Sequence, residues 1–414
     1  MSSKQLVPGP MGPFDKVSLL WLVPLTVARA LLAFASRSID SSSLHWRQKL
    51  SISLLQALRR TLNPRHTFAH AHQRLTGEAV RAYCSDRGLP YAAAAVALPE
   101  HAAASADTTT VPHVPPPPPT LHIVTPANAP EDGPTLLYTH GGGYLNPLQA
   151  PGHMPFALRC AASCSASRVV FIEYALSSEH CYPVQLIQMV AAVKHLLHHP
   201  LPGTELASLT PDNLIIAGDS AGGHLIASLI AHVVHPCPYA PPLTELGPSK
   251  GKQLRAVALF SPWLTMKTTD ASFTANHESD YLSAQQMDLF TELFEPSLTE
   301  VWASPIEADD AAQVWKTAFP QAAAATTEAV AKRMLVTTGT GETLFDSCVR
   351  FGGELLRADM VVLDADEKVA VVAEKALVLT IAPDEAHVQP VLDSALRYAH
   401  GWSMKAADTF LKSV

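Results

Sequence analysis

Asn213-Leu-Ile-Ile-Ala-Gly-Asp-Ser-Ala-Gly-Gly-His-Leu-Ile-Ala-Ser-Leu-Ile-Ala-His232 is the stretch that decides how this chain folds. The apolar run Leu214 to Ala217 reads as a buried strand, and His224 to His232 has apolar residues at helical spacing. Between them, Gly218-Asp219-Ser220-Ala221-Gly222-Gly223 has glycines on both sides of a serine. That arrangement permits a turn too tight for side chains. Such a turn lifts the Ser220 hydroxyl above the end of a sheet and leaves the Ala221 N–H free to donate to developing negative charge. Taken alone, the pattern is also that of an ordinary glycine-rich turn. Its weight comes from what surrounds it.

Upstream, Thr135-Leu-Leu-Tyr138 is a short apolar strand that runs into Thr139-His140-Gly141-Gly142-Gly143-Tyr144. Three glycines after a strand can be a flexible loop, or a place where backbone N–H groups approach a substrate carbonyl closely. A phosphate cradle is disfavoured, because no Gly-Lys-Ser/Thr follows. Arg168 to Tyr174 and Gln253 to Phe260 are further strands of the buried parallel kind. An amphipathic helix is expected from Pro183 through His195. Two strand-plus-loop units close the chain. Arg333 to Thr337 leads into Gly339-Thr-Gly-Glu342-Thr-Leu-Phe-Asp346, and Ala376 to Ile381 leads into Asp384-Glu385-Ala386-His387.

This alternation predicts an α/β fold with a mostly parallel central sheet and helices on both faces. Ligands in such sheets sit beyond the carboxyl ends of the strands, where Gly141, Ser220, Glu342 and His387 all fall. Serine is a poor nucleophile at neutral pH and needs a base within reach, itself oriented by a carboxylate. Ser220, Glu342 and His387 follow one another in the order serine, acid, histidine that is found in α/β-hydrolases.

The run His140-Gly-Gly-Gly143 with Gly218-Asp-Ser-Ala-Gly-Gly223 resembles the hormone-sensitive-lipase-like branch of the α/β-hydrolases, and within it fungal esterases of the steryl acetyl hydrolase kind. The resemblance covers about residues 135–400. It implies an α/β-hydrolase fold with a helical lid, Ser220 as nucleophile, His387 as general base and then acid, and Glu342 as the triad acid. It also implies Gly141, Gly142 and Ala221 as oxyanion donors, and no cofactor or metal. The acid in this branch is commonly Asp, so Asp346 is the fallback candidate. The branch's Asp-Tyr-Arg-Leu-Ala-Pro-Glu-His stands here as Glu173-Tyr-Ala-Leu-Ser-Ser-Glu-His180, and the missing Arg and Pro are expected to loosen that loop. The implied reaction is hydrolysis of a short acyl ester of an apolar alcohol. The alternatives are an amidase, formamidase or lactonase with the same triad, or a non-catalytic ligand receptor on the same fold.

The remaining features set the boundaries. At 414 residues the chain holds one large α/β domain with elaborations, or two domains at most. Its net charge of −8, without a basic patch, excludes nucleic acid as the expected partner. Neither the 19 scattered histidines nor the six cysteines have metal-ligand spacing; Cys160 and Cys164 read as buried thiols. Residues 1–40 contain an apolar segment, Val17 to Ala35, interrupted by Pro24 and Arg29. It reads as a membrane anchor, a signal peptide or an amphipathic helix on a surface. Endoplasmic-reticulum membrane association is the expectation, and a cytoplasmic placement is the alternative. Residues 41–90, with Leu50, Leu54, Leu58 and Leu62 at helical spacing, are expected to form part of a lid. Residues 91–134 read as a low-complexity insertion with early strands, including an Ala-rich run, Thr108-Thr109-Thr110 and Pro115 to Pro119. Residues 135–414 form the expected catalytic domain, with further lid at about 264–325. The aromatics there (Phe273, Tyr281, Phe290, Phe294, Trp302, Trp315) are read chiefly as packing.

Overall fold

Why the chain builds a sheet is plain from its apolar runs, which are buried on both faces. The computed structural model describes residues 11–40, 42–63, 66, 75–98, 116–201, 209–320 and 328–414. Its strands are β1 (Tyr91–Ala95), β2 (Thr120–Val124), β3 (Thr135–Thr139), β4 (Arg168–Glu173), β5 (Leu214–Asp219), β6 (Ala256–Phe260), β7 (Met334–Gly339), β8 (Asp359–Val362) and β9 (Leu377–Ala382). Among the described residues they form one nine-stranded sheet, ordered β1-β2-β4-β3-β5-β6-β7-β9-β8. The pairs β1–β2 and β2–β4 are antiparallel, and the other pairs are parallel.

Successive strand residues feed opposite cores, as a pleat requires. Leu137, Val170, Ile172, Ile216 and Leu259 face one apolar layer; Leu136, Tyr138, Val169, Phe171 and Ile215 face the other. The first layer is closed by α5 (Val184–His198) and α6 (Ser220–Val234), and the second by α3 (Thr76–Arg87), α4 (Ala150–Ser163) and α13 (Trp402–Lys412). Cys160 and Cys164 are buried thiols on α4 and just after it.

Two sequence expectations are corrected here. The Ala-rich run at the start of the supposed insertion is β1, in register from Tyr91↔Val124 to Ala95↔Thr120. Alanine has little intrinsic preference for strands; β2 supplies the ladder, and Ala92 and Ala94 pack on the core. The prolines that follow are also integrated, since Pro117 and Pro119 give their carbonyls to Gln188 and Val96. Thr108-Thr109-Thr110 and Pro115 lie outside the described residues. The second correction concerns α3, which packs on the sheet through Ala79, Val80 and Cys84 instead of serving as lid.

Helix α2 (Trp46–Thr61), by contrast, lies over the loops at the carboxyl end of the sheet. Gln56 donates to the carbonyls of Glu278 and Asp280 (both 2.7 Å), and Arg59 donates to Tyr281 O (3.0 Å). Arg47 reaches Arg397 O at 2.8 Å. Preceding it, α1 (Pro13–Ile39) is 27 residues long, about 40 Å at the helical rise. Of its residues only Ser18, Thr26 and Ala30 are buried, while Leu20, Trp21, Leu31 and Leu32 are exposed. Arg29, though exposed, is tied to α2. It donates to Arg60 O (2.8 Å) and Thr61 Oγ1 (3.2 Å), satisfying the carboxyl end of α2.

The segment after β6 holds α7 (Ala271–Ala275), α8 (Ala284–Phe294) and α9 (Ala311–Ala318). Most of its aromatics pack as expected. Phe294 stacks on Tyr144 with centroids 4.3 Å apart, Trp302 on His235 at 5.0 Å, and Trp315 meets Phe351 edge-on at 4.7 Å. The loop from Glu173 to His180 is held without the missing Arg and Pro, which corrects the expectation of looseness. Gln185 donates to Ala175 O (3.0 Å) and His180 O (2.6 Å), and Gln188 accepts from Ala175 N (2.7 Å).

Where α6 crosses β3, a Cβ on Gly222 would lie 2.1 Å from Thr139 O, so only glycine fits. Gly222→Ala is expected to destabilise the protein by about 2 kcal/mol or more. Gly247→Ala, where a Cβ meets open space, should stay within about 0.5 kcal/mol. Urea unfolding of both variants against wild type checks this contrast.

Candidate active site

β5 ends at Asp219 and α6 begins at Ser220, so the serine sits on the turn itself. Its φ of 50° lies in the left-handed region that side chains avoid. The surroundings leave no alternative: Cβ atoms at Gly218 and Gly223 would fall 2.2 Å from Thr139 Oγ1 and 2.9 Å from Pro262 Cβ. Trp263 N also binds Ser220 O at 3.0 Å. The outcome is a serine whose hydroxyl points away from the sheet.

His387 comes from the turn after β9, and its Nε2 lies 2.9 Å from Ser220 Oγ. Glu342 comes from the turn after β7, wholly buried, with Oε2 3.3 Å from His387 Nδ1. That contact is too long or too bent for a full hydrogen bond, and neither atom has another partner among the described residues. Thr338 Oγ1 donates to the other carboxylate oxygen, Oε1. The tautomer suited to this arrangement carries its proton on Nδ1, toward Glu342, and leaves Nε2 to accept from Ser220. The fallback acid, Asp346, is elsewhere: its Oδ2 accepts from Ser272 N at 2.8 Å, at the start of α7.

The expected oxyanion donors need one correction. Gly141 N–H is already engaged, donating to Asp219 Oδ2 at 3.1 Å. Gly142 (φ 122°) and Gly143 (φ 61°) follow in conformations natural to glycine. The N–H groups of Gly142, Gly143 and Ala221 have no partner among the described residues. Gly143 N–H is thus an open donor that the motif reading passed over. The ring of Phe290 lies against it, so that a Cβ there would be 2.4 Å from Phe290 Cδ2.

Two buried carboxylates support these loops, and neither had been assigned a role from the sequence. Asp219 accepts from Tyr138 OH (2.7 Å) and Gly141 N and lies 3.3 Å from His153 Nε2. Burial pushes its carboxyl up, but His153 and the Tyr138 hydroxyl outweigh that and hold it below the usual range. Asp280 sits behind His387; burial pushes its carboxyl up, against the opposing pull of His387 and the Thr343 N–H. A hydrogen-bonded Asp within a glycine turn is guessable from sequence. Asp280, within the lid segment, carried no signal.

Two further histidines near the site, His140 and His224, are held neutral. Burial pushes His140 and His224 down to about 4. His140 is bonded to Thr76 Oγ1 (3.0 Å), at the start of α3, and His224 to Tyr144 OH (2.7 Å). They are structural posts, whereas His387 is the imidazole in contact with the Ser220 hydroxyl. Among the described residues no group of three or more His, Cys, Asp or Glu could hold a metal ion.

The family model described as alpha/beta hydrolase fold matches residues 136–362. Two curated relatives are each 30% identical to this chain. An acetyl-hydrolase of Streptomyces hygroscopicus matches over 165 residues, 39% of this chain and 46% of that protein. A carboxylesterase of Mycobacterium tuberculosis matches over 168 residues, 40% of this chain and 46% of that protein. The chain therefore spans about half the length of the curated relatives it matches. In three dimensions it is similar to a crystal structure of an esterase from the bacterial hormone-sensitive lipase family. The TM-score is 0.54 at 20% identity, covering 89% of this chain and 98% of the other.

If the contacts around His387 carry the chemistry, their removal separates the two acid candidates. Ser220→Ala should fold normally and lose turnover by about three orders of magnitude or more. Glu342→Gln should lower kcat by about a hundredfold or more, whereas Asp346→Asn, which keeps an acceptor for Ser272 N, should stay near wild type. The reverse ranking would move the acid to Asp346.

Proposed function

The chain belongs to the alpha/beta hydrolase fold family, and on that premise we propose that it is a serine carboxylic-ester hydrolase acting on short acyl esters of apolar alcohols. One observation carries this reading: an imidazole nitrogen 2.9 Å from a serine hydroxyl that is held on a strained strand-to-helix turn. Ser220 Oγ attacks the ester carbonyl as His387 Nε2 takes its proton. The oxyanion that forms is received by the N–H groups of Gly142, Gly143 and Ala221; one such donor is commonly worth about 10²–10³ in rate. His387 then gives its proton to the departing alcohol, and a water deprotonated by the same nitrogen releases the acid. Glu342, excluded from water, favours the charged imidazolium through these steps.

The substrate class draws on two features. Phe290 occupies the space against Gly143, which limits the acyl group beside the oxyanion donors and suits acetate over longer chains. The relative named acetyl-hydrolase is in keeping with that size. For the alcohol, α1 is a long apolar helix, with mean hydropathy of 2.0 over its most apolar 18-residue stretch, and its Arg37 donates to Glu278 O beside the site loops. We read α1 as the contact with a lipid surface, from which an apolar ester reaches the site.

A chain-length series of p-nitrophenyl esters, acetate to palmitate, tests the reaction. Turnover should peak at acetate or butyrate and vanish in Ser220→Ala. Folded protein inert on every ester would instead favour an amide or lactone substrate, or a ligand receptor. For the surface contact, the full chain should float with phosphatidylcholine vesicles in a density gradient. Leu20→Asp with Trp21→Asp should reduce the floated fraction severalfold while leaving p-nitrophenyl acetate turnover unchanged. Equal flotation of both proteins would overturn the lipid reading.

A further inference from the structure

Asp280 takes no part in the steps above, yet it lies wholly buried between the loops that carry the acid and the base. Its Oδ1 accepts from the N–H groups of Tyr281 (2.7 Å) and His387 (3.3 Å). Its Oδ2 accepts from the N–H (2.7 Å) and the hydroxyl (3.0 Å) of Thr343. One carboxylate thus joins the main chain of His387 to the main chain of the residue following Glu342. Burying such a group is unfavourable unless its acceptors are filled, and here both oxygens are. The direct Glu342–His387 contact, 3.3 Å and without a full hydrogen bond, is a loose guide for either side chain. The separation of the two turns is held better by Asp280 than by the pair itself. From outside, Gln56 of α2 grips the Asp280 carbonyl at 2.7 Å.

We propose that Asp280 is a positioning residue for the reaction. It acts through Glu342 and His387 by setting the distance between their turns, and it ties that distance to the seating of α2. The inference rests on the serine-hydrolase reading. Asn at this position keeps the size but converts one acceptor oxygen into a donor, so it cannot accept from both the Thr343 and the His387 N–H. Small misplacements of a catalytic pair are amplified in rate, since about 1 Å can lower it a hundredfold.

The test is kcat and KM of Asp280→Asn on p-nitrophenyl acetate, normalised to active serines by the stoichiometry of labelling with diisopropyl fluorophosphate. We expect kcat to fall about 30- to 100-fold with KM within about threefold. In a Glu342→Gln background the same change should matter less than about threefold, because the path it acts through is already broken. Wild-type kcat per labelled site in Asp280→Asn, or the full loss repeated in the Glu342→Gln background, overturns the proposal. If Asp280→Asn yields too little folded protein, Thr343→Ala, which removes one of the four donors, carries the same cycle. Its expected fall is about three- to tenfold, and an unchanged kcat there overturns the proposal. Absence of wild-type turnover would overturn the hydrolase reading and this proposal with it; a normal Asp280→Asn enzyme overturns only the latter.

Discussion

Everything at the carboxyl end of the sheet depends on one backbone conformation, the left-handed Ser220. A serine held there is strained by about 1–3 kcal/mol, and it persists only because its neighbours leave no relaxed option. Gly218 and Gly222 bring β5 and α6 against Thr139, and Gly223 brings α6 against Pro262. Asp219, immediately before the serine, fastens the same turn to the glycine loop through Gly141 N–H. The serine turn and the glycine loop are therefore one rigid unit, joined by a single carboxylate across 78 residues of chain. This is the preorganisation that electrostatic catalysis requires: donors set in place before charge develops.

Glu342 and His387 are held differently. Each stands on a turn after its own strand, and the link between them is a 3.3 Å contact without a full hydrogen bond. Order comes from the main chain and from buried groups around it: Thr338 on Glu342, Ser261 on Val388 N, Asp280 across both turns. A longer acid side chain than the branch commonly uses has more freedom to misplace its carboxylate, and more anchors are the natural counterpart.

Much of this could be read in the residues. The parallel strands were legible because strands buried on both faces must be continuous apolar runs, as Val169 to Ile172 and Leu214 to Ala217 are. Ser220, Glu342 and His387 were legible because each stands directly after such a run, where side chains must emerge at the sheet's edge. The edge strands were not so clear. Tyr91–Ala95 hides in alanines, and Asp359–Val362 belongs to a short apolar run, Met360 to Leu363, of which only Val361 within the strand is buried. Nor could spacing reveal which glycine N–H was already engaged, since that follows from Asp219 meeting Gly141 across two strands. Asp280 was illegible for a related reason: its partners at Thr343 and His387 lie 63 and 107 residues away. Local pattern carries no trace of a carboxylate whose work is to join distant turns.

The N-terminal helices lead to a conclusion about the order of assembly. Arg29 needs only α2, 31 residues on, so α1 and α2 can associate early. But α2 is seated by carbonyls 222 and 350 residues further along, at Glu278 to Tyr281 and at Arg397. Contacts of such sequence separation form late in folding. On a growing chain, the helix pair must therefore wait beside an unfinished domain, with the apolar side of α1 uncovered throughout. The last third of the chain then closes the fold beneath this helix pair.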